Sequence, residues 1–148
     1  MGLFKIYQWA SGTKAEFAQT FGDNEYLRKP ADNFWRSLEN SALWLILIFL
    51  ILGIFCSVSY YTWYNNLPGR HYKPLHWVGW LIVCCISAFL ISIGVEFLLL
   101  KTNLDNAGIV ISKVSLCNAL YASGVYFLIS LVWCNCFTTN ACKFLKFK

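Results

Sequence analysis

Three long apolar runs constrain this chain more than any other feature of its sequence. The first, Ser41 to Trp63, contains no charged residue, and the second, Trp77 to Leu100, contains only Glu96. The third, Val114 to Phe137, includes two asparagines but no charge. A helix rises about 1.5 Å per residue, so roughly 20 apolar residues cross the hydrocarbon layer of a bilayer. Each run is therefore long enough to form a transmembrane helix.

The composition excludes a soluble fold for these runs. Of 148 residues, 58% are hydrophobic and 13% are charged, whereas about a quarter of the residues in soluble domains are charged. Too little polar sequence remains to wrap three buried helices. No apolar stretch precedes residue 41, so we expect the first run itself to direct membrane insertion rather than a cleaved signal peptide. We predict an all-α, polytopic integral membrane protein with three transmembrane helices.

Residues 1–40 form a separate, amphipathic segment in this interpretation. Leu3, Tyr7 and Ala10 recur at helical spacing, and Thr13 to Glu16 matches a capping box, so two short helices are expected. Their aromatic faces suit either the lipid headgroup boundary or a partner subunit. The sequence does not distinguish between these two locations of the short helices.

A further turn or two of helix is predicted to begin near Pro30 and to form an elbow at the membrane interface before the first span. Residues 41–148 then make up the transmembrane domain, with a short basic C-terminal tail. Aromatic residues gather where the spans end, as in an interfacial belt. They include Trp35, Trp44, Tyr60, Tyr61, Trp63, Tyr64, Trp77, Trp80 and Trp133.

Small residues recur at every fourth position of the three runs, which favours close packing of helices in lipid. The candidate packing residues are Gly53, Ser57, Ala88, Ser92, Ser115, Ala119 and Ser123, together with the polar Asn118. A hairpin of three helices offers few hydrogen-bond partners to an inward-facing Asn118. We therefore favour a homo-oligomer over a bundle within one chain, without excluding the bundle.

The side of the membrane on which each end lies is weakly encoded. Each side carries five Lys or Arg residues near the span ends, so the positive-inside rule gives a tie. A long polar segment before the first span is easier to retain than to translocate. We expect the N-terminus in the cytoplasm, in a bacterial inner membrane, and the tail outside.

Three cysteines near the C-terminus, Cys134, Cys136 and Cys142, are candidates for a disulfide or, with His71 and His76, for a metal site. Their C-x-C-x5-C spacing matches no recognised zinc pattern, and inert thiols are a third interpretation. The other cysteines lie inside the runs and are interpreted as small packing residues. These are Cys56, Cys84, Cys85 and Cys117.

Catalytic and phosphate-binding motifs are absent from the sequence, so we expect neither an enzyme nor a cofactor, and no nucleic acid as a partner. Glu96 is the one charged residue inside a run; it is either a carboxylate that reaches the interface near Lys101 or part of an ion pathway. The expected partners are the bilayer, further copies and other membrane-complex subunits. We expect a non-enzymatic anchor or scaffold of an oligomeric envelope complex, of secretion, conjugation or defence type, that docks partners through residues 1–40. A small oligomeric ion channel or pore is the alternative.

Overall fold

The chain is mainly helical in the part that the computed structural model describes, which is residues 2–22, 25–67, 73–100, 104, 106–137 and 145. No strand occurs among these residues, and the prediction of an all-α fold is confirmed. The elements are a 3-10 helix (Leu3–Tyr7), α1 (Gln8–Ser11), α2 (Lys14–Gln19), α3 (Glu25–Thr62), a 3-10 turn (Tyr64–Asn66), α4 (Pro74–Leu100) and α5 (Ala107–Cys136).

Three of these helices are long and apolar enough to cross a membrane: Tyr26–Asn66, Pro74–Leu100 and Ala107–Cys136. This confirms the prediction of three membrane-spanning helices. Large apolar side chains such as Phe55, Leu98 and Leu128 are exposed on all three, while many buried positions are polar. Such a distribution suits lipid, because water would not tolerate so large an exposed apolar surface. The buried polar residues of the three helices are Ser41, Ser57, Ser92, Glu96, Ser115, Asn118 and Ser130.

The short N-terminal helices end and begin where the sequence predicts. The capping box at the start of α2 is present: the Thr13 amide donates to Glu16 Oε2 at 2.8 Å, and the Glu16 amide donates to Thr13 Oγ1 at 3.3 Å. Gly12, with φ at 80°, separates α1 from α2, and this left-handed backbone favours glycine. The chain therefore turns at Gly12, and Thr13 directly after the turn caps the start of α2.

The predicted elbow before the first span is wrong, because α3 runs without a break from Glu25 to Thr62 and includes Pro30. Pro30 lies in the second turn, where it removes only one helical hydrogen bond. A buried stripe with three- and four-residue spacing continues across residue 40, so burial favours one continuous helix. Its members are Ala31, Phe34, Trp35, Leu38, Ser41, Ala42 and Leu45.

The chain divides into two compact units. The first unit is Met1–Leu47 with Phe89–Asn118, and the second is Ile48–Ala88 with Ala119–Lys148. Both units contain part of α3, α4 and α5, so the units do not follow the boundary expected at residue 40. Each long helix therefore contributes one part to each of the two cores.

The N-terminal segment packs on α3 in the first unit through an aromatic cluster. The Phe4 ring lies 5.7 Å from Trp35, and the Phe17 ring lies 5.7 Å from Trp35 and 5.2 Å from Phe34. The predicted inner face is only partly correct, because Leu3 is 58% exposed whereas Phe4 and Tyr7 are buried. The reason is the 3-10 geometry of this stretch, which aligns positions three residues apart.

The core of the second unit is aromatic as well. Tyr60, Tyr61, Trp77 and Tyr126 are buried, and Trp77 Nε1 donates to Ser130 Oγ at 3.1 Å. The predicted interfacial role is therefore wrong for Tyr60, Tyr61 and Trp77, which pack between helices instead of facing headgroups. An aromatic ring buried between helices replaces lipid contacts with specific ring contacts and hydrogen bonds.

The helices of the second unit approach closely at Gly53. A methyl group placed there would lie 2.7 Å from Val125 Cβ and 2.9 Å from the Ala122 carbonyl oxygen. The Cys84 thiol lies 3.8 Å from the carbonyl oxygens of both Leu52 and Ala122. Small side chains thus bring the backbones of α3, α4 and α5 together. Because Trp77 meets Ser130 and Cys84 meets Ala122, α4 and α5 run antiparallel.

Candidate functional site

A polar cluster centred on Asn118 lies inside the first unit. Asn118 Nδ2 donates to the Leu45 carbonyl oxygen at 3.0 Å and to Ser92 Oγ at 2.6 Å. Its Oδ1 accepts a 2.6 Å hydrogen bond from the Tyr7 hydroxyl. One amide therefore joins α5 to α3, to α4 and to the N-terminal segment. The premise that one chain offers this amide few partners is wrong.

Glu96 lies on α4, one turn beyond Ser92, and its side chain is 0% exposed. Neither carboxylate oxygen has a hydrogen-bond partner among the residues that the structure describes. The interpretation of Glu96 as a carboxylate that reaches the interface is therefore wrong, and its expected neighbour Lys101 lies outside the described residues. An ionised carboxylate without hydrogen bonds is costly in such an environment.

Ser115 is a second buried polar group without a described partner. Its side chain is 0% exposed, and its hydroxyl makes no hydrogen bond to any residue in the described ranges. It precedes Asn118 by one turn of α5. Because α4 and α5 are antiparallel, one turn forward from Ser92 and one turn back from Asn118 lead toward the same end of the helix pair. Glu96 and Ser115 therefore lie on the same side of the bond between Ser92 and Asn118.

The other candidate packing residues lie mostly inside the chain. Gly53, Ala88 and Ala119 are buried, and the buried Ser57 hydroxyl donates to the Gly53 carbonyl oxygen at 2.8 Å. Ser123 is only half-buried and donates to the carbonyl oxygen of Leu120 in its own helix. The buried small residues are thus covered within this chain, whereas Ser123 is only half-buried.

The C-terminal cysteines differ from one another. Cys134 is disulfide-bonded, whereas Cys136 is a free and exposed thiol. Cys142 and His71 lie outside the described residues, and the half-buried His76 packs edge-on against Tyr64 with ring centroids 5.5 Å apart. Within the described ranges, no three His, Cys, Asp or Glu side chains are grouped as a metal site requires.

The cysteines inside the spans have the positions expected of small packing residues. Cys56, Cys84 and Cys117 are free and buried, and Cys85 is free and half-buried. The Cys84 contacts with two backbone carbonyls show how a thiol fills the narrow space between helices.

The outer surface of the first unit combines apolar and basic features. Trp9 is 66% exposed and Leu3 is 58% exposed, so the N-terminal segment has an outward apolar face as well as its buried one. At the start of α3, an open concavity of about 840 Å³ is lined by Tyr26, Arg28, Lys29 and Pro30. Apolar, aromatic and basic groups of this kind can contact either lipid headgroups or a protein partner.

Sequence reasoning missed Tyr7 as a member of the polar cluster and named Ser115 only as a packing residue. Tyr7 was assigned to an apolar face and Ser115 to a packing stripe, although both place a hydroxyl in the interior. A signal was present in the spacing: Ser92 and Glu96 on one helix, and Ser115 and Asn118 on the next, are each one turn apart. Polar pairs on one face of two neighbouring spans indicate a shared polar interior.

No family model, curated protein or solved structure matches this chain.

Proposed function

We propose that this chain is a non-enzymatic anchor or scaffold subunit of an oligomeric envelope complex, of secretion, conjugation or defence type, which docks a protein partner through its N-terminal segment. The observation that supports this function is the attachment of that segment to the membrane helices. Tyr7 bonds to Asn118 of α5, and Phe4 and Phe17 pack on Trp35 of α3. A partner bound to this segment is therefore held by the membrane helices themselves.

The expected partner surface is apolar with acidic residues around it. Leu3 and Trp9 offer exposed apolar side chains on the N-terminal segment, and Arg28 and Lys29 line the concavity at the start of α3. Exposed aromatic residues are common anchors of protein interfaces, and basic residues at the rim select acidic partners. The exposed positions along the middle of α4, such as Val83, Ile86 and Leu90, are apolar and lack this mixture.

A bacterial inner membrane with the N-terminus in the cytoplasm is part of the proposal. The disulfide at Cys134 supports this orientation, because it lies near the C-terminal end of α5 and disulfides persist on the oxidising side of a membrane. With three spans the N-terminal segment then lies on the opposite, reducing side, where cytoplasmic partners are available.

Site-specific photo-crosslinking tests the docking function. A photoreactive amino acid replaces Trp9 in one variant and Leu98 in a control, because Leu98 is 74% exposed on α4. We expect position 9 to yield a discrete protein adduct with a subunit that also co-purifies with the unlabelled chain, and position 98 to yield lipid adducts. The co-purification is expected to disappear in Leu3→Ser with Trp9→Ser. Lipid adducts at both positions would refute docking.

A small oligomeric channel is a second candidate, which the unpartnered Glu96 favours. Acidic residues buried in spans often mark ion or proton pathways. If the chain conducts, purified protein in liposomes is expected to carry a cation flux that Glu96→Gln reduces and Glu39→Gln leaves unchanged. If the chain is an anchor, none of these preparations carries a flux above that of empty liposomes. Glu39 is a suitable control because it is exposed.

A further inference from the structure

We propose that Glu96 and Ser115 form an internal site that binds one positive charge, delivered as a proton or as a sodium ion. Both side chains are 0% exposed, and three oxygen atoms, Glu96 Oε1, Glu96 Oε2 and Ser115 Oγ, have no hydrogen-bond partner in the described part of the chain. Buried polar atoms in folded proteins nearly always have partners. Glu96 on α4 and Ser115 on α5 are two such exceptions within one compact unit, and together they point to a ligand.

The position of the site follows from the bond between Ser92 and Asn118. That bond, 2.6 Å long, fixes the register of α4 against α5. Glu96 follows Ser92 by four residues, or about 6 Å of helix rise, and Ser115 precedes Asn118 by three, or about 4.5 Å. In an antiparallel pair these displacements have the same direction. Glu96 and Ser115 thus lie at similar depth along the helix pair, each about one turn from the bond between Ser92 and Asn118.

The neighbouring polar side chain, Asn118, supplies no hydrogen-bond donor to Glu96. Asn118 uses both amide hydrogens on Leu45 and Ser92 and accepts from Tyr7, so it has no hydrogen to donate to Glu96. The ionised Glu96 carboxylate presents only lone pairs, and the Ser115 hydroxyl adds one further oxygen that can act as an acceptor or ligand. Oxygen ligands of this type suit a proton or a hard cation.

The charge of the ligand follows from the number of acids. Among the described residues Glu96 is the only buried acid, and no group of three His, Cys, Asp or Glu side chains exists that could hold a multivalent metal. One carboxylate is neutralised by one positive charge, which removes the large penalty of an isolated charge in an apolar interior. A divalent ion would leave that interior positively charged.

No other ionisable group of the first unit replaces this ligand among the residues that the structure describes. Of the titratable side chains in the first unit, Tyr7 and Cys117 are buried; the Tyr7 hydroxyl donates to Asn118, and the Cys117 thiol carries no positive charge. Apart from Glu96 itself, the charged residues of the first unit whose burial is given are all exposed: Lys5, Lys14, Glu16, Arg28, Lys29, Asp32, Arg36, Glu39 and Lys113. None of them is buried beside Glu96 as a counter-ion.

Ligand-linked stability tests the site, because a ligand that binds only the folded protein raises its unfolding midpoint. The full chain is unfolded thermally in detergent. One arm replaces choline chloride by sodium chloride at constant ionic strength and pH, and the other varies pH in choline chloride. The variants are Glu96→Gln and Ser115→Ala, and Glu39→Gln is the matched control.

We expect the wild type and Glu39→Gln to share a response to sodium, or a component of the response to pH, that Glu96→Gln lacks; the pH response of the other acids remains in every variant. A response to sodium identifies sodium as the ligand, and a response to pH alone identifies the proton. Ser115→Ala is expected to need several-fold more sodium for the same rise in its unfolding midpoint. If the ligand is a proton, the midpoint of Ser115→Ala is expected to change over a displaced pH range. Glu96→Asp, which keeps the charge but shortens the side chain, is expected to show the same displacement and serves if Glu96→Gln does not fold.

Three outcomes would overturn the proposal. The wild type could respond in neither arm, Glu96→Gln could respond as the wild type does, or Ser115→Ala could match the wild type in both arms. These results are independent of the docking function, because the crosslinking at position 9 does not involve Glu96 or Ser115. Failure of the crosslinking at position 9 therefore counts only against docking. Failure of the sodium and pH responses counts only against the internal site.

Discussion

The hydroxyl of Tyr7 donates a 2.6 Å hydrogen bond to Oδ1 of Asn118, a residue 111 positions further along the chain. The bond ties the N-terminal segment to the last membrane helix. Because Asn118 is also bonded to Leu45 and Ser92, four separate parts of the chain meet at one side chain. Hydrogen-bonded side chains between membrane helices specify which helices pack together.

Tyr7→Phe removes this bond and leaves the Asn118 carbonyl oxygen buried without it. We expect a loss of stability of about 1 to 2 kcal/mol, the range for interhelical hydrogen bonds and buried unsatisfied acceptors. The free energy of unfolding in detergent measures the effect. Tyr26→Phe is the control, because Tyr26 is 91% exposed; equal stability of the two variants would show that the bond contributes nothing.

Gly53→Ala is expected to disturb the packing of α3 against α5. The added methyl group would lie 2.7 Å from Val125 Cβ and 2.9 Å from a backbone oxygen of Ala122. Overpacking of this kind typically destabilises a protein by about 1 to 3 kcal/mol. Gly94→Ala is the matched control, since nothing lies within 4 Å of its added methyl group. A thermal midpoint for Gly53→Ala equal to that of Gly94→Ala would contradict the close approach.

The hydrogen bond from Trp77 to Ser130 is expected to couple α4 to α5 energetically. In a double-mutant cycle of Trp77→Phe and Ser130→Ala, the coupling should be about 0.6 kcal/mol and not exceed about 1.7 kcal/mol, the range measured for such pairs in a membrane protein. The same cycle with Ser112→Ala should be additive, because the Ser112 hydroxyl bonds to Gly108 in its own helix. A coupling of zero in the Ser130 cycle would exclude a stabilising bond.

Cys136 is expected to react with a membrane-impermeant maleimide added to intact cells, if the C-terminal end of α5 faces outward. Its thiol is free and exposed, whereas Cys117 is free and buried. Labelling should disappear in Cys136→Ser and should not require cell lysis. Labelling only after lysis would place this end in the cytoplasm and reverse the proposed orientation.

The apolar runs and the local motifs were readable from the sequence because they depend on neighbouring residues. The three spans follow from the length and low charge of their runs, and the capping box of Thr13 and Glu16 follows from a four-residue pattern. The small residues at Gly53 and Ser92 were predicted to pack helices, and both are buried. The order of the helices along the chain could therefore be predicted without tertiary information.

The partners of the polar residues were decided only by the tertiary structure. Sequence spacing does not reveal that Tyr7 reaches Asn118, since the two are 111 positions apart, nor that 3-10 geometry turns Phe4 inward. Similarly, the position of Glu96 near the end of a run suggested an exposed carboxylate, yet the residue is 0% exposed. Hydropathy states which segments enter a membrane, but the environment of a side chain depends on which helix faces are pressed together, and that is set by long-range packing.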